Sequence, residues 1–382
     1  MQNYKYFDNA STTQISDEAK LFIYNSLDAY GNPASIHKFG QNSKAILIKS
    51  NKIIANFMHC SSDEIYYTSG ASESNSQIIY SAYQYAKQNK KGNHIVATLI
   101  EHHSILNALD ELHKTFGVDV TYVGTDEYGI VQPEDIERVI RNDTFLVITM
   151  TANNETGVIQ KVTEIGNIAH KHGALFFTDA TQAFCKINLE LIMPNVDYLS
   201  ASAHKFHGPK GIGLLYAKES APLYPIIHGT QQRAKRGGTE NPLLVGAMAT
   251  AIEQANQHMY EWNNYVFNLK SHLRRRILEE IPGTRENGHP AHSLSGTLNV
   301  SFDWIRGEEL LILLDVYNIC VSTGSACNSA SNEPSKVLLA LGLTEEQANS
   351  SIRFSLSHYN TIEEVDFVVD RLKECVERLR DR

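Results

Sequence analysis

The chain has 382 residues, 42% hydrophobic and 20% charged, with 43 acidic against 34 basic side chains and a formal net charge of -9. That length suits a large domain plus a smaller one, and the ordinary polar balance excludes disordered and collagen-like classes. The acidic surplus argues against a directly gripped nucleic acid, and 5 cysteines without a CxxC pair point to the reducing cytoplasm rather than a disulfide framework.

In chain order, the N-terminus runs straight into strand-like Tyr6-Phe7 without a basic region or apolar core, so no export signal is expected. From about Ile15 to Gln257 strands and helices alternate. Ile65-Tyr66-Tyr67-Thr68 reads as a strand, and Ser69-Gly70-Ala71-Ser72-Glu73-Ser74 leads from it into an apolar-periodic helix through Ile78, Ile79 and Tyr83. Small residues at a helix start leave backbone N–H groups for an anion, although plain capping produces the same pattern. Helices over Pro133 to Arg141 and Val162 to His172 flank a strand over Phe145 to Thr151, the pattern of a mostly parallel, two-side-covered sheet.

Ala174 to Thr178 is a further buried strand, and Asp179 follows it where an α/β sheet places its ligands. Asp179 suits the pyridine nitrogen of pyridoxal phosphate, and it suits a helix N-cap equally. Val196 to Ser200 leads into Ser202-Ala203-His204-Lys205-Phe206-His207-Gly208-Pro209. A lysine there, partly desolvated, can hold a carbonyl cofactor; most lysines are simply solvated. The conjunction of phosphate loop, Asp and Lys after three strands carries the signal.

Beyond residue 257, helical patterning from Met259 to Glu280, a strand over Thr297 to Phe302 and a helix over Ile362 to Arg380 outline a smaller domain. Arg274-Arg275-Arg276 reads as one solvated helix face. The apolar stretch Leu310 to Val321 is interrupted by Asp315 and Asn318 and is too short for a bilayer, so no membrane is expected. Cys60, Cys185 and Cys375 read as ordinary core or surface thiols and Cys320 as buried. Cys327 lies instead in a small, polar segment, Val321 to Ser335, that offers nothing to pack it, which favours a chemical role. Neither Glu101-His102-His103 nor His170-Lys171-His172 has further ligands at metal-site spacing, so no metal is expected.

Together these segments resemble the cysteine desulfurases of the NifS and IscS type, pyridoxal-phosphate enzymes in the class V aminotransferase group. The resemblance runs through Phe7 to Thr13, Gly31 to His37, Thr68 to Ser74, Glu101-His102-His103, Asn153-Asn154-Glu155-Thr156-Gly157 and Thr178 to Gln182. It continues through Arg236 to Asn241, Ser325-Ala326-Cys327 and Ser351 to Leu356, nearly the whole chain in family order.

It implies a fold type I α/β architecture: a large domain over 15–257 with a mostly parallel seven-stranded sheet, and a smaller α+β domain from 1–14 and 258–382. It also implies pyridoxal 5'-phosphate attached to Lys205, with Asp179 at the ring nitrogen, Gln182 at the phenolic oxygen and His102 stacked on the ring as acid and base. Ala71, Ser72, Ser202 and His204 would hold the phosphate, Thr239 would reach the phosphate of a partner subunit in a homodimer, and Arg353 with Asn154 would bind the substrate carboxylate. Cys327 would take sulfur from L-cysteine as a persulfide, leaving alanine, for a sulfur-acceptor protein in iron-sulfur cluster assembly, tRNA or cofactor thiolation, or DNA phosphorothioation. A selenocysteine lyase, another class V aminotransferase or C–S lyase, and an idle pyridoxal-phosphate scaffold are the competing readings.

Three departures stand out. His228-Gly229-Thr230-Gln231-Gln232 is one residue shorter than the usual glycine run, Ala203 replaces a common glycine, and the chain ends soon after Arg380.

Overall fold

The computed structural model describes residues 4–324 and 333–381. Its strands are β1 (Lys5–Tyr6), β2 (Ile65–Thr68), β3 (His94–Thr98), β4 (Asp119–Val123), β5 (Thr144–Ile148), β6 (Leu175–Asp179), β7 (Tyr198–Ser202), β8 (Gly213–Ala217), β9 (Thr284–Asn287), β10 (Thr297–Phe302), β11 (Ile319–Cys320) and β12 (Ser351–Ser355). The helices are α1 (Asp17–Ser26), α2 (Lys38–Met58), α3 (Ala71–Asn89), α4 (His103–Phe116), α5 (Pro133–Val139), α6 (Val162–Lys171), the short turn α7 (Gln231–Ala234), α8 (Pro242–Glu280), α9 (Gly307–Val316), α10 (Lys336–Ala340), α11 (Glu345–Asn349) and α12 (Ile362–Arg380).

Seven strands form one sheet in the order β2-β8-β7-β6-β5-β3-β4, parallel throughout except for β8. This is the expected α/β architecture. Period-2 alternation sends Val96, Val147, Phe176 and Leu199 to one face, under α2, α6 and the first half of α8. Their neighbours Ile95, Leu146, Phe177 and Tyr198 face α3 and α4. Because both faces are covered, these strands carry near-continuous apolar runs.

A third cluster joins Phe7, the second half of α8, β10, β12, α9 and α12 around a three-stranded antiparallel sheet ordered β12-β10-β9. The boundary expected near residue 257 falls inside α8, a single helix of 39 residues and about 58 Å. Its N-terminus is defined by Pro242 and by Asn241, whose side chain accepts from the Leu244 N–H. Helical periodicity is visible only from Met259 because Val245 to Ile252 is buried almost all round and has no polar stripe. Residues Val337, Leu338, Leu341 and Leu343, beyond 258, pack into the large-sheet core.

Two smaller expectations are corrected. Cys320 is only partly buried: among the described residues β11 pairs only with the short β1. Arg276 is not a solvated side chain: it bridges α8 to α12 through Asp366 at 3.0 Å and Asp370 at 2.9 Å, while also pairing with Glu280.

Candidate active site

The carboxyl ends of β6 and β7 and the N-terminus of α3 meet over a cavity of about 500 Å³. Asp179, Gln182, Ala71, Ser72, Ser202, His204, Lys205, His102, Asn154 and Arg353 all line it, so ten residues chosen from sequence converge from separate segments. Thr239 is exposed and does not line the cavity, and Cys327 lies outside the described residues.

Asp179 ends β6 and is buried at 5% exposure. One carboxylate oxygen accepts from the Thr181 N–H at 2.9 Å and the other from Asn75 Nδ2 at 3.0 Å. Asn75 also donates to Ser104 Oγ at 2.9 Å, and Ser104 lies 2.8 Å from His102 Nδ1. His102 Nδ1 accepts the Ser104 N–H at 3.1 Å as the cap of α4, which places the neutral ring's proton on Nε2. Burial, aided by the Lys205 and His103 charges, lowers the His102 pKa against the pull of Asp179. The imidazole is therefore neutral near physiological pH.

Lys205 sits in a short 3-10 turn directly after β7, and its Nζ donates to the Ala10 and Ser11 carbonyls at 2.7 and 2.6 Å. Gln182 Nε2 also donates to the Ala10 carbonyl, at 2.9 Å. The N-terminal segment thus forms one wall of the site. His204 contacts Thr12 Oγ1 at 3.1 Å, and burial with the Lys205 and Lys210 charges depresses its pKa to about 4. Ala203 keeps a negative φ in this turn, so its Cβ is tolerated; the left-handed residue is His207.

At the start of α3, Gly70 supplies no side-chain cap. Its N-terminal N–H groups face the cavity across from Ser202, a cradle suited to phosphate. Gly213 makes that approach possible, since a Cβ there would lie 2.5 Å from Gly70 Cα. The helix start is braced by Glu73, which accepts from the Ser69 N–H and pairs with Arg236 Nε at 2.8 Å. Burial pushes the Glu73 carboxyl upward, but these partners hold it below its ordinary pKa. In the 228–232 loop, Gln232 pairs with the edge strand β2, accepting from the Tyr67 N–H and donating to its carbonyl.

Arg353, on β12, is 2% exposed and held by Asp8 Oδ1 and Ser11 Oγ at 2.7 Å each and by the Asn154 carbonyl at 2.8 Å. Its Nε has no partner among the described residues. Sequence reasoning missed Asn75, Asp8 and Ser11 because each acts through another side chain. The only signals were that Asn75 sits one turn into α3 and that Asp8 and Ser11 fall in a recognised block.

The cavity fits pyridoxal phosphate. It has a buried carboxylate for a protonated ring nitrogen, an uncapped helix start for phosphate, a lysine, and a buried hydroxyl, Thr181 Oγ1, with no partner among the described residues.

Residues 5–368 match the family described as Aminotransferase class-V. The chain is 41% identical over 379 residues to cysteine desulfurase IscS of Methanosarcina thermophila, covering 98% of this chain and 93% of that one. The chain belongs to the class V aminotransferase family, among the cysteine desulfurases of the NifS/IscS type. Among solved structures, a NifS-like protein superposes with a TM-score of 0.91 at 36% identity, covering 98% of this chain and 100% of that one. SspA, solved in complex with cysteine, gives 0.79 at 33% identity, covering 93% and 99%. Members of this family depend on pyridoxal phosphate. Among the described residues, no helix is long and apolar enough to cross a membrane.

Proposed function

We propose that the chain is a pyridoxal-phosphate-dependent cysteine desulfurase that moves the sulfur of L-cysteine onto Cys327. The observation that carries this reading is the single cavity in which Asp179, Lys205, His102 and Arg353 converge. When bound, pyridoxal phosphate supplies an electron sink for bond breaking next to the amino-acid Cα. Asp179 would hold its ring nitrogen, Gln182 its phenolic oxygen, and Ala71, Ser72, Ser202 and His204 its phosphate. Lys205 Nζ would anchor it and later move the Cα proton. Neutral His102, stacked on the ring, would exchange the substrate thiol proton at Nε2. Arg353 is the carboxylate receptor, with Asn154 beside it, and its Nε, without a partner among the described residues, supports that role.

The Cys327 thiolate would attack the substrate sulfur. The Cβ–S bond breaks, the carbon fragment keeps the electron pair and takes a proton, and the sum is L-cysteine plus thiol giving L-alanine plus persulfide. A sulfur-acceptor protein in the cytoplasm would then receive the sulfane sulfur. Exposed Thr239, and the uncovered apolar side chains Leu21, Tyr24, Leu27 and Tyr30 on and after α1, support a homodimer in which Thr239 reaches the other subunit's phosphate.

The decisive experiment adds L-cysteine to cofactor-loaded protein and maps persulfide by mass spectrometry. A mass gain of one sulfur on Cys327, with alanine release, is expected; Cys327→Ala should lose both. Continued alanine and sulfide production by that variant would overturn the assignment.

A further inference from the structure

Glu155 is the one carboxyl beside Arg353 that pairs with no cation among the described residues, and it is buried at 4% exposure. It sits in a turn built by Asn153, whose Oδ1 accepts the N–H groups of Glu155 and Thr156 at 2.8 and 3.0 Å. The Glu155 carbonyl accepts from Asn299 Nδ2, so the backbone is fixed from a second side. The preceding Asn154 carbonyl is the one that holds Arg353 Nη1.

From this anchored turn the Glu155 carboxyl reaches two other places. Its Oε2 accepts from Ser335 Oγ at 2.5 Å, and Ser335 in turn caps α10 by accepting the Leu338 N–H at 3.2 Å. The same oxygen packs on Gly324, where an added Cβ would lie 3.1 Å from it and where φ is +117°. Gly324 is tied back to Arg353 by a separate route: its carbonyl accepts from Ser322 Oγ, and Ser322 and Arg353 exchange two backbone hydrogen bonds at 3.2 and 2.6 Å. Gly324 and Ser335 bracket Cys327 in sequence.

We propose that Glu155 is a positioning residue for the persulfide step, clasping Gly324 and Ser335 to the turn that holds Arg353. The substrate carboxylate receptor and both flanks of the Cys327 segment then share one reference point. The inference rests on the persulfide reading above and adds the residue that sets its geometry. Burial pushes the Glu155 pKa up against the Ser335 hydrogen bond and the Arg353 charge, consistent with a structural hydrogen-bond acceptor rather than a second counter-ion for Arg353.

The test uses the cofactor-loaded full chain as wild type, Glu155→Ala, Ser335→Ala, the double variant and Glu155→Gln. Single-turnover persulfide formation on Cys327 should fall on the order of 10- to 100-fold in each Ala variant, the loss expected of a misplacement of about 1 Å. The double variant should lose no more than either single one, since one clasp is broken in each. Glu155→Gln should keep most of the rate, because its amide oxygen still accepts from Ser335. L-Cysteine affinity, read from the cofactor absorbance, and the rate of Cys327 alkylation by iodoacetamide in cofactor-free protein should stay unchanged.

Wild-type rates in the Ala variants, additive losses in the double variant, or a matching loss of cysteine affinity or alkylation rate would each overturn the proposal. Should Glu155→Ala fail to fold, Ser335→Thr against Ser335→Ala decides, the threonine hydroxyl retaining the rate. Absence of persulfide in the wild type would overturn the desulfurase reading itself, whereas its presence at an unchanged rate in the variants would remove only the role of Glu155.

Discussion

Glu101 and Glu155 are both buried carboxyls that pair with no cation among the described residues, yet they differ in consequence. Glu101 accepts from Thr98 Oγ1 at 2.6 Å and the Met150 N–H at 2.8 Å through one oxygen, while the other, Oε2, has no partner among the described residues. Burial, with the nearby Asp179 charge, pushes its pKa from 4.5 up to about 8 against those hydrogen bonds. Between these values the folded chain keeps a proton that the unfolded chain releases, so this group's stability contribution is full at low pH and declines as pH rises. Glu101→Gln should therefore flatten the fall in urea midpoint between pH 5 and pH 8; an unchanged profile would show that Glu101 ionises freely in the fold. Nothing in the sequence marks Glu101 as neutral, because its environment comes from β3 and β5 side by side. Lys205 and Asp179, by contrast, could be singled out because Asp179 closes one apolar strand and Lys205 lies in the turn after another.

Among the elements, α8 shows where pattern reading stops. Its first half packs on α1 and α2, and Gly246 sits where a Cβ would lie 2.2 Å from Phe22 Cζ and 3.1 Å from Ile46 Cγ2. In an exposed helix Gly→Ala stabilises by about 1 kcal/mol. Here Gly246→Ala should instead destabilise, by about 1–3 kcal/mol, because the ring of Phe22 is displaced. Thermal or urea unfolding of the variant checks the sign, and a raised midpoint would mean that α1 can shift at little cost. Period-2 and period-3.6 patterns located β10 and α12 at their observed bounds, since Thr297 to Phe302 alternates polar and apolar residues even though all six are buried, and α12 is amphipathic and starts at a capping box on Thr361. The start of α8 was invisible because a helix buried all round has no stripe.

At the scale of the molecule, the uncovered side chains of α1 and its following segment should carry the subunit contact. Tyr24 is 75% exposed and Tyr30 82%. A Leu21→Asp, Tyr24→Asp double variant should run as a monomer in sedimentation and bind pyridoxal phosphate more weakly if Thr239 serves the other subunit; a dimeric variant would move the interface elsewhere. The sequence by itself determined the family and pointed to the candidate residues: the Lys, Asp, His and Arg types, the strands near them and the small polar segment bearing Cys327 are local properties of composition and order. Tertiary structure decided what those groups face. Asn75 linking Asp179 through Ser104 to His102, Asp8 neutralising Arg353, and Glu155 accepting from Ser335 unite residues up to 345 positions apart. Such pairings arise when packing brings distant strand ends together, and no local spacing encodes them.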